Sequence, residues 1–199
     1  MDELGNLKQQ RFQPEKHLAF FQGFLRKPQQ VGSVIPSSRF LERRLVKISA
    51  VRAARTVVEL GPGTGGTTHA LLRALQPNAK LLAIEIDRRF AAMLRAEFAD
   101  PRLIVHQGSA EQIAQSLMAH GLRAPEVVIS GIPFSTMPAR IGENILRAVW
   151  SSLAPRGRFV AYQFRDRVAV LGRNILGRPE VDVELLNVPP MRVYCWRKN

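Results

Sequence analysis

The fold of this chain is decided by one stretch, Val57-Val58-Glu59-Leu60-Gly61-Pro62-Gly63-Thr64-Gly65-Gly66-Thr67-Thr68. A short apolar strand runs into a glycine-rich turn, and a helical pattern begins directly after it. This order is typical of an open parallel sheet that binds a nucleoside-containing cofactor. The glycines let the backbone approach a ligand where a Cβ atom would collide with it.

Two carboxylates frame the turn. A second apolar run ends at Glu85, about 20 residues beyond the glycines, where an acid can accept hydrogen bonds from a ribose hydroxyl pair. Glu59 lies inside the first strand, directly before the turn. Its charge would repel the pyrophosphate of a dinucleotide and attract a sulfonium amino acid. The pair therefore predicts a nucleoside cofactor with a cationic group.

The run Glu59-Leu60-Gly61-Pro62-Gly63-Thr64-Gly65, with Glu85 behind it, resembles the first two motifs of class I S-adenosylmethionine-dependent methyltransferases. The resemblance extends from Thr56 to about Phe164. The alternative to a cofactor-binding turn is a glycine turn with only a structural role in another α/β protein. It implies S-adenosylmethionine as cofactor and S-adenosylhomocysteine as product. It also implies that Glu59 and the turn hold the methionine part, and that Glu85 holds the ribose.

Adenine recognition is expected in the loop after the third strand. The resemblance implies that Ile86 and Ala110 flank the ring. In this class that loop often carries an acid that accepts from the adenine amine, and here Ser109 stands in its place. Ser109 is either that acceptor or a helix N-cap.

From Thr56 onward, strand and helix patterns alternate with short connections, which predicts a mostly parallel sheet with helices on both faces. The expected strands are residues 56–60, 80–85, 102–106, 126–130 and 157–163, and the helices are about 65–75, 88–97, 110–119 and 138–153. Two further runs, 182–187 and 192–196, predict a closing hairpin with an antiparallel C-terminal edge strand. We expect a Rossmann-like α/β fold with seven strands, as in class I methyltransferases.

We expect a single domain, in which the first 50 residues form a helical lid and residues 51–199 form the cofactor-binding α/β core. One helix is expected at 39–48. Another is expected at 16–27, where one face carries Phe20, Phe21 and Phe24 and basic residues include Arg26 and Lys27. Phenylalanines beside basic residues are typical of a helix in a bilayer interface. The alternative is a helix packed on its own domain.

The 199-residue chain has a net charge of +13, which indicates an anionic partner, either nucleic acid or an acidic membrane surface. A merely solvated basic surface is the alternative. One cysteine, Cys195, excludes an internal disulfide framework and fits a reducing cytoplasm. We expect no membrane span, no secretory signal and, because histidine and cysteine show no ligand spacing, no metal site.

The loop after strand four, Ser130-Gly131-Ile132-Pro133-Phe134, faces the transferred methyl group by its position. In ribosomal RNA adenine dimethyltransferases a motif of the type Asn-Leu-Pro-Tyr stands here. Its amide and a backbone carbonyl accept from the adenine amine, and its ring stacks on the flipped base. This chain has Gly131 at the amide position, so the side-chain acceptor is absent, and Phe134 keeps a ring without a hydroxyl.

Several stretches resemble bacterial phospholipid N-methyltransferases of the soluble, peripheral type. They are Phe20-Phe21-Gln22-Gly23-Phe24, Ser33-Val34-Ile35-Pro36-Ser37-Ser38-Arg39, Ser130-Gly131-Ile132-Pro133 with Ser135-Thr136-Met137-Pro138, and Asn187-Val188-Pro189-Pro190-Met191-Arg192-Val193-Tyr194. The resemblance implies methylation of phosphatidylethanolamine at a membrane surface. Together with the net charge and the single cysteine, it leads us to expect a cytoplasmic enzyme that associates with the inner face of an anionic membrane. Related enzymes acting on ornithine lipids leave the exact amino lipid open.

Residues at the end of strand five complete the expected site. Tyr162, Gln163 and Arg165 are candidates for holding the head-group phosphate, and Tyr162 is also a candidate proton acceptor, with a core tyrosine as the alternative. Without a convincing general base, water or lipid phosphate can take the proton. The alternative functions are an RNA adenine N6-methyltransferase and a non-catalytic membrane- or RNA-binding module.

Overall fold

The computed structural model describes residues 38–199, which fold around one seven-stranded sheet. The strands are β1 (Thr56–Leu60), β2 (Lys80–Glu85), β3 (Leu103–Gln107), β4 (Val127–Ser130), β5 (Arg158–Gln163), β6 (Glu180–Glu184) and β7 (Met191–Arg197). Their order is β3-β2-β1-β4-β5-β7-β6. Strands β1 to β5 are parallel, and β7 is antiparallel to both β5 and β6. The predicted fold class is confirmed, with β6 and β7 forming the closing hairpin at one edge.

The described helices are α1 (Arg39–Ser49), α2 (Gly66–Ala74), α3 (Arg88–Glu97), α4 (Ile113–Ala119), α5 (Ala139–Ser152) and α6 (Arg167–Leu176). Helix α1 begins at an N-cap, because Ser38 Oγ accepts from the backbone N–H of Leu41 at 3.2 Å. Asp87 caps α3 in the same way. These caps end the connecting loops and fix where each helix leaves the sheet.

The core has two layers, one on each face of the sheet. Because side chains alternate along a strand, Val57 and Val58 of β1 belong to different layers. Helices α1 and α2 cover the first layer, which includes Val57. Helices α4, α5 and α6 cover the second layer, which includes Val58. The sheet is thus covered on both faces, as parallel sheets require.

Helix α6 is absent from the sequence-based prediction. Its sequence, RVAVLGRNIL, mixes β-branched residues with a central glycine, so local propensity does not favour a helix. A Cβ at Gly142 of α5 would lie 2.8 Å from Leu171 Cδ1 of α6, so the two helices pack closely here. Close packing of α6 against α5 therefore outweighs the low propensity.

The helix expected at 39–48 is confirmed as α1, and its Leu41 and Leu45 are fully buried. Arg44 joins α1 to the edge strand β6 through two ion pairs. Its Nη1 lies 2.6 Å from Asp182 Oδ2, and its Nε lies 2.7 Å from Glu184 Oε2. The helix expected at 16–27, with its phenylalanines, lies outside the described residues. Between residues 38 and 199, no helix combines the length and apolar character needed to cross a bilayer.

Candidate active site

The glycine turn lies at the carboxyl end of β1, where ligands bind in open parallel sheets. Gly63 and Gly65 have φ values of +56° and +85°, which disfavour any residue with a Cβ. A Cβ at Gly65 would lie 2.9 Å from atoms of both Leu94 and Phe98, whereas one at Gly63 would meet no described atom within 4 Å. Gly65 thus serves packing of the turn against α3, and Gly63 borders open space.

Glu85 at the end of β2 is buried beside this turn. Its Oε2 accepts from the backbone N–H of Gly63 at 3.0 Å, and its Oε1 accepts from that of Asp87 at 2.9 Å. Burial raises the pKa of Glu85, while these backbone donors oppose the rise. Each carboxylate oxygen keeps a further lone pair, so the group can still accept from ligand hydroxyls.

Glu59 is almost completely buried on the other side of the turn. Thr68 Oγ1 donates to its Oε2 at 2.7 Å, and Oε1 has no hydrogen-bond partner among residues 38–199. Burial, with a smaller contribution from the charge of Glu85, raises the pKa of Glu59 to about 7. A proton or a nearby cation compensates such a carboxylate, so the site suits a ligand that carries positive charge.

A largely apolar cleft opens beside Glu85. Its walls come from the glycine turn, the ends of β2 and β3, the loop after β4 and one face of α5. They include Gly61, Ile84, Ile86, Gly108, Ser109, Ala110, Glu111, Ile132, Met137, Ile141 and Ile145. A cleft with apolar walls and a carboxylate at one end has the composition expected for a nucleoside.

Ser109 acts here as a cap. Its Oγ accepts from the backbone N–H of Glu111 at 3.2 Å and begins the 3₁₀ turn Ala110–Gln112. The nearby acid is Glu111, which lines the cleft and accepts from Asn144 Nδ2 at 2.9 Å. Sequence reasoning looked for the acid at position 109 and missed Glu111, although it lies two residues further along the same loop.

The loop after β4 is held by the side chain of Gln163. The Gln163 Nε2 donates to the carbonyl of Ile132 at 2.7 Å, and its Oε1 accepts from the N–H of Phe134 at 3.3 Å. The Phe134 ring is fully buried in the second core layer. Ser130 is also buried, and its Oγ accepts from the N–H of Ile132 at 3.3 Å. Ile132 of this loop therefore lines the cleft, whereas Ser130 and Phe134 do not.

Tyr162 occupies the space beside Gly131. A Cβ on Gly131 would overlap the Tyr162 hydroxyl and lie 2.9 Å from its Cζ. The Tyr162 hydroxyl lies 3.2 Å from Thr67 Oγ1, at the start of α2. Three residues from different parts of the chain thus meet at one point: Gly131 after β4, Tyr162 at the end of β5 and Thr67 after the glycine turn. Of these, Thr67 is not predicted from the sequence.

Other predicted site residues are more dispersed. Pro62 is buried within the turn, Thr64 is exposed on it, and Pro133 is half-buried in the loop after β4. Arg165 is exposed beyond β5, so it does not join the buried cluster. Gln163 holds the loop through both ends of its amide, and its expected contact with a head-group phosphate stays a prediction.

Comparison with known proteins identifies the family. The model of the family "Ribosomal RNA adenine dimethylase" matches residues 8–127. An ornithine lipid N-methyltransferase from Singulisphaera acidiphila is 33% identical over 141 residues, which cover 70% of this chain and 73% of that protein. The ribosomal RNA small subunit methyltransferase A of Laribacter hongkongensis is 36% identical over 96 residues. That match covers 48% of this chain and 35% of that protein.

Solved structures agree on the fold. The O-methyltransferase TomG from Streptomyces achromogenes, crystallised with S-adenosylmethionine, superposes with a TM-score of 0.66 at 17% identity. The superposition covers 97% of this chain and 93% of TomG. With its seven-stranded sheet, glycine turn and family match, the chain belongs to the ribosomal RNA adenine dimethylase family of class I S-adenosylmethionine-dependent methyltransferases.

Proposed function

We propose that this enzyme transfers a methyl group from S-adenosylmethionine to the primary amine of a membrane lipid, with phosphatidylethanolamine as the first candidate. The observation that carries the proposal is the contact between Gly131 and Tyr162. Methylation of an adenine amine needs acceptors that localise its lone pair, and the adenine enzymes supply one from the residue at position 131. Here that residue has no side chain, and Tyr162 occupies the space that one would need.

The buried ring of Phe134 supports the same choice. An aromatic side chain stacks on a flipped base only if its face is accessible. Phe134 is fully buried, and its backbone is held by Gln163. A base would therefore have no stacking platform at this position.

A primary alkyl amine makes smaller demands on the site. Once it has lost its proton it is a good nucleophile, so alignment with the methyl group supplies much of the catalysis. Water or the lipid phosphate can accept the proton, with the Tyr162 hydroxyl as a further candidate. The rigid loop at residues 130–134 would set the direction of approach.

The chain's own residues fit the methyl donor. S-adenosylmethionine supplies a methyl group made electrophilic by a sulfonium. Glu85 would accept from the ribose hydroxyls, and the unpartnered oxygen of Glu59 suits the positive charge of the methionine part. Ile86 and Ala110, in the apolar walls of the cleft, would flank the adenine. Glu111 also lines the cleft and would accept from the adenine amine.

The extent of the sequence matches also bears on the substrate. The family match ends at residue 127, before the loop at 130–134. It therefore covers the cofactor half, which enzymes with different acceptors share. The match to the ornithine lipid enzyme covers 73% of that protein, whereas the matches to ribosomal RNA small subunit methyltransferase A cover 35% of the protein from Laribacter hongkongensis and 45% of the one from Corynebacterium jeikeium. This favours ornithine lipid as a second candidate substrate.

One labelling experiment tests the proposal. S-adenosylmethionine with a radiolabelled methyl group is offered in parallel with micelles containing phosphatidylethanolamine, micelles containing ornithine lipid, and ribosomal RNA. We expect label in a lipid and none in RNA. Label in RNA alone would favour an RNA adenine N6-methyltransferase. Cofactor binding without methyl transfer to any acceptor would favour a non-catalytic module.

A further inference from the structure

The loop between β6 and β7 has the reverse of the usual loop pattern. Loop side chains normally turn polar groups toward water. Here Leu185, Leu186 and Val188 are 71%, 62% and 86% exposed, whereas Glu184 and Asn187 are 4% and 1% exposed. Polar groups point inward and apolar groups point outward.

Hydrogen bonds hold this reversed loop in place. Glu184 Oε1 accepts from the N–H of Leu186 at 2.9 Å, and its other oxygen pairs with Arg44 of α1. Asn187 Oδ1 accepts from the N–H of Ser38 at 2.9 Å, and its Nδ2 donates to the carbonyl of Pro189 at 3.0 Å. The outward direction of the apolar side chains is therefore fixed by buried polar contacts and is not a result of disorder.

Another exposed apolar residue, Phe164, extends the patch. Phe164 follows β5 at the same edge of the sheet and is half exposed. Arg192 of β7 donates to its carbonyl through Nη1 at 2.7 Å, and Arg192 is also the register partner of Val183, which is partly exposed. The patch therefore runs from the end of β5 across β7 to the end of β6.

Basic side chains border this patch. Arg165 and Arg167 follow Phe164 in the chain, and Arg192 donates to the Phe164 carbonyl. Arg39 follows Ser38, whose N–H donates to Asn187 of the loop. Within residues 38–199 these four arginines form no ion pair, and Asp166 is the acid between the first two. Apolar side chains that project outward inside a cationic border are the arrangement that an anionic bilayer interface binds.

We propose that this surface, made of Phe164, Val183, Leu185, Leu186 and Val188, is a membrane-docking surface that enters the interface of an anionic bilayer. The choice of a bilayer as partner rests on the proposed function. The surface lies at the carboxyl edge of the sheet, as does the cleft, so docking presents the cleft to lipid head groups. The residues concerned differ from the phenylalanines expected at 20–24.

A flotation experiment with matched variants tests the surface. Leu185 and Leu186 are both changed to Ser in the full chain, and Met118→Ser is the control, because Met118 is 80% exposed at the C-terminal end of α4, toward the other edge of the sheet. With vesicles of phosphatidylglycerol and phosphatidylcholine, we expect the double variant to bind about tenfold more weakly than the parent. The control should bind as the parent does.

A fluorescent probe reports the loop itself. In a Cys195→Ala background, Leu186→Cys carries an environment-sensitive dye, and we expect its emission to shift to the blue when the same vesicles are added. Flotation of the double variant equal to that of the parent would overturn the proposal. So would a dye already shielded from water without vesicles, because another part of the chain or a second copy would then cover the loop.

Activity on a dissolved lipid separates this inference from the proposed function. Phosphatidylethanolamine with short acyl chains, kept below its critical micelle concentration, has no interface to dock to, so the double variant should methylate it at the parental rate. If the parent methylates the lipid but the double variant floats as well as the parent, the proposed docking surface is wrong and the proposed function stands. If the parent methylates no lipid and the double variant still floats less than the parent, the proposed function is wrong and the proposed docking surface stands.

Discussion

The two halves of the sheet build their parts of the site in different ways. In the cofactor half, β1 and β2 place a glycine turn and two carboxylates within one short span of sequence. In the substrate half, the loop after β4 is shaped by side chains from β5, and the loop after β6 by Ser38 at the start of α1. Local sequence therefore builds the proposed cofactor site, whereas long-range contacts shape the side where we propose that the acceptor binds.

The largest effect expected in the cofactor half comes from Gly63→Val. A branched side chain there would oppose a φ of +56° and fill the open space beside the turn, so S-adenosylmethionine binding should fall below detection by calorimetry. Gly121→Val is the matched control, because Gly121 has a φ of +62° and also borders open space. Both variants should lose similar stability, and normal binding by the Gly63 variant would show that the turn is structural.

A second test concerns the raised pKa of Glu59. Because the folded-state pKa lies above the unfolded value, the native protein binds more protons between about pH 4.5 and pH 7, and its stability falls as pH rises through that window. At about 1.36 kcal/mol per pKa unit, the loss reaches about 3 kcal/mol. Urea unfolding of cofactor-free protein at pH 5 and pH 8 measures it.

Glu59→Gln isolates this contribution, since an amide does not titrate. The variant should lose most of the difference in unfolding free energy between pH 5 and pH 8. An unchanged difference would mean that Glu59 titrates normally and that other groups cause the pH dependence.

Glu85→Ala should have the next largest effect on cofactor affinity. Removing a charged acceptor costs roughly 1.5–3 kcal/mol, so calorimetry should show binding about tenfold weaker or more. The variant must remain folded by circular dichroism, because Glu85 also accepts from the backbone at Gly63 and Asp87. Unchanged affinity in a folded variant would remove Glu85 from the ribose site.

The smallest expected effect tests the substrate half. Gly131→Ala introduces a Cβ that overlaps the Tyr162 hydroxyl, and such overpacking costs about 1–3 kcal/mol of unfolding free energy. In a Tyr162→Ala background the same change should cost much less, which urea unfolding of all four proteins measures as a coupling energy. Additive costs would show that the two positions do not compete for space.

The same division explains what the sequence predicts. Strands β1 and β2 were predicted with the bounds that the structure has, because apolar runs and a glycine turn mark them locally. Helix α6 was missed, since its formation depends on packing against α5, where a Cβ at Gly142 would lie 2.8 Å from Leu171 Cδ1. In the site, Glu59 and Glu85 stand in a recognisable motif. The roles of Gln163, Thr67 and Glu111 depend on partners 29 or more residues away. These partners are Phe134 after β4, Tyr162 on β5 and Asn144 on α5, in that order.

The position of β7 has a consequence for synthesis of the protein on the ribosome. Strand β6 pairs with β7 and β7 pairs with β5, so β6 has no neighbour in the sheet until β7 has left the ribosome. Until then the nascent chain exposes the apolar edge of β5, with Phe159, Val160 and Ala161. Exposed strand edges invite aggregation. Chaperone demand during translation should therefore peak between synthesis of β5 and release of β7.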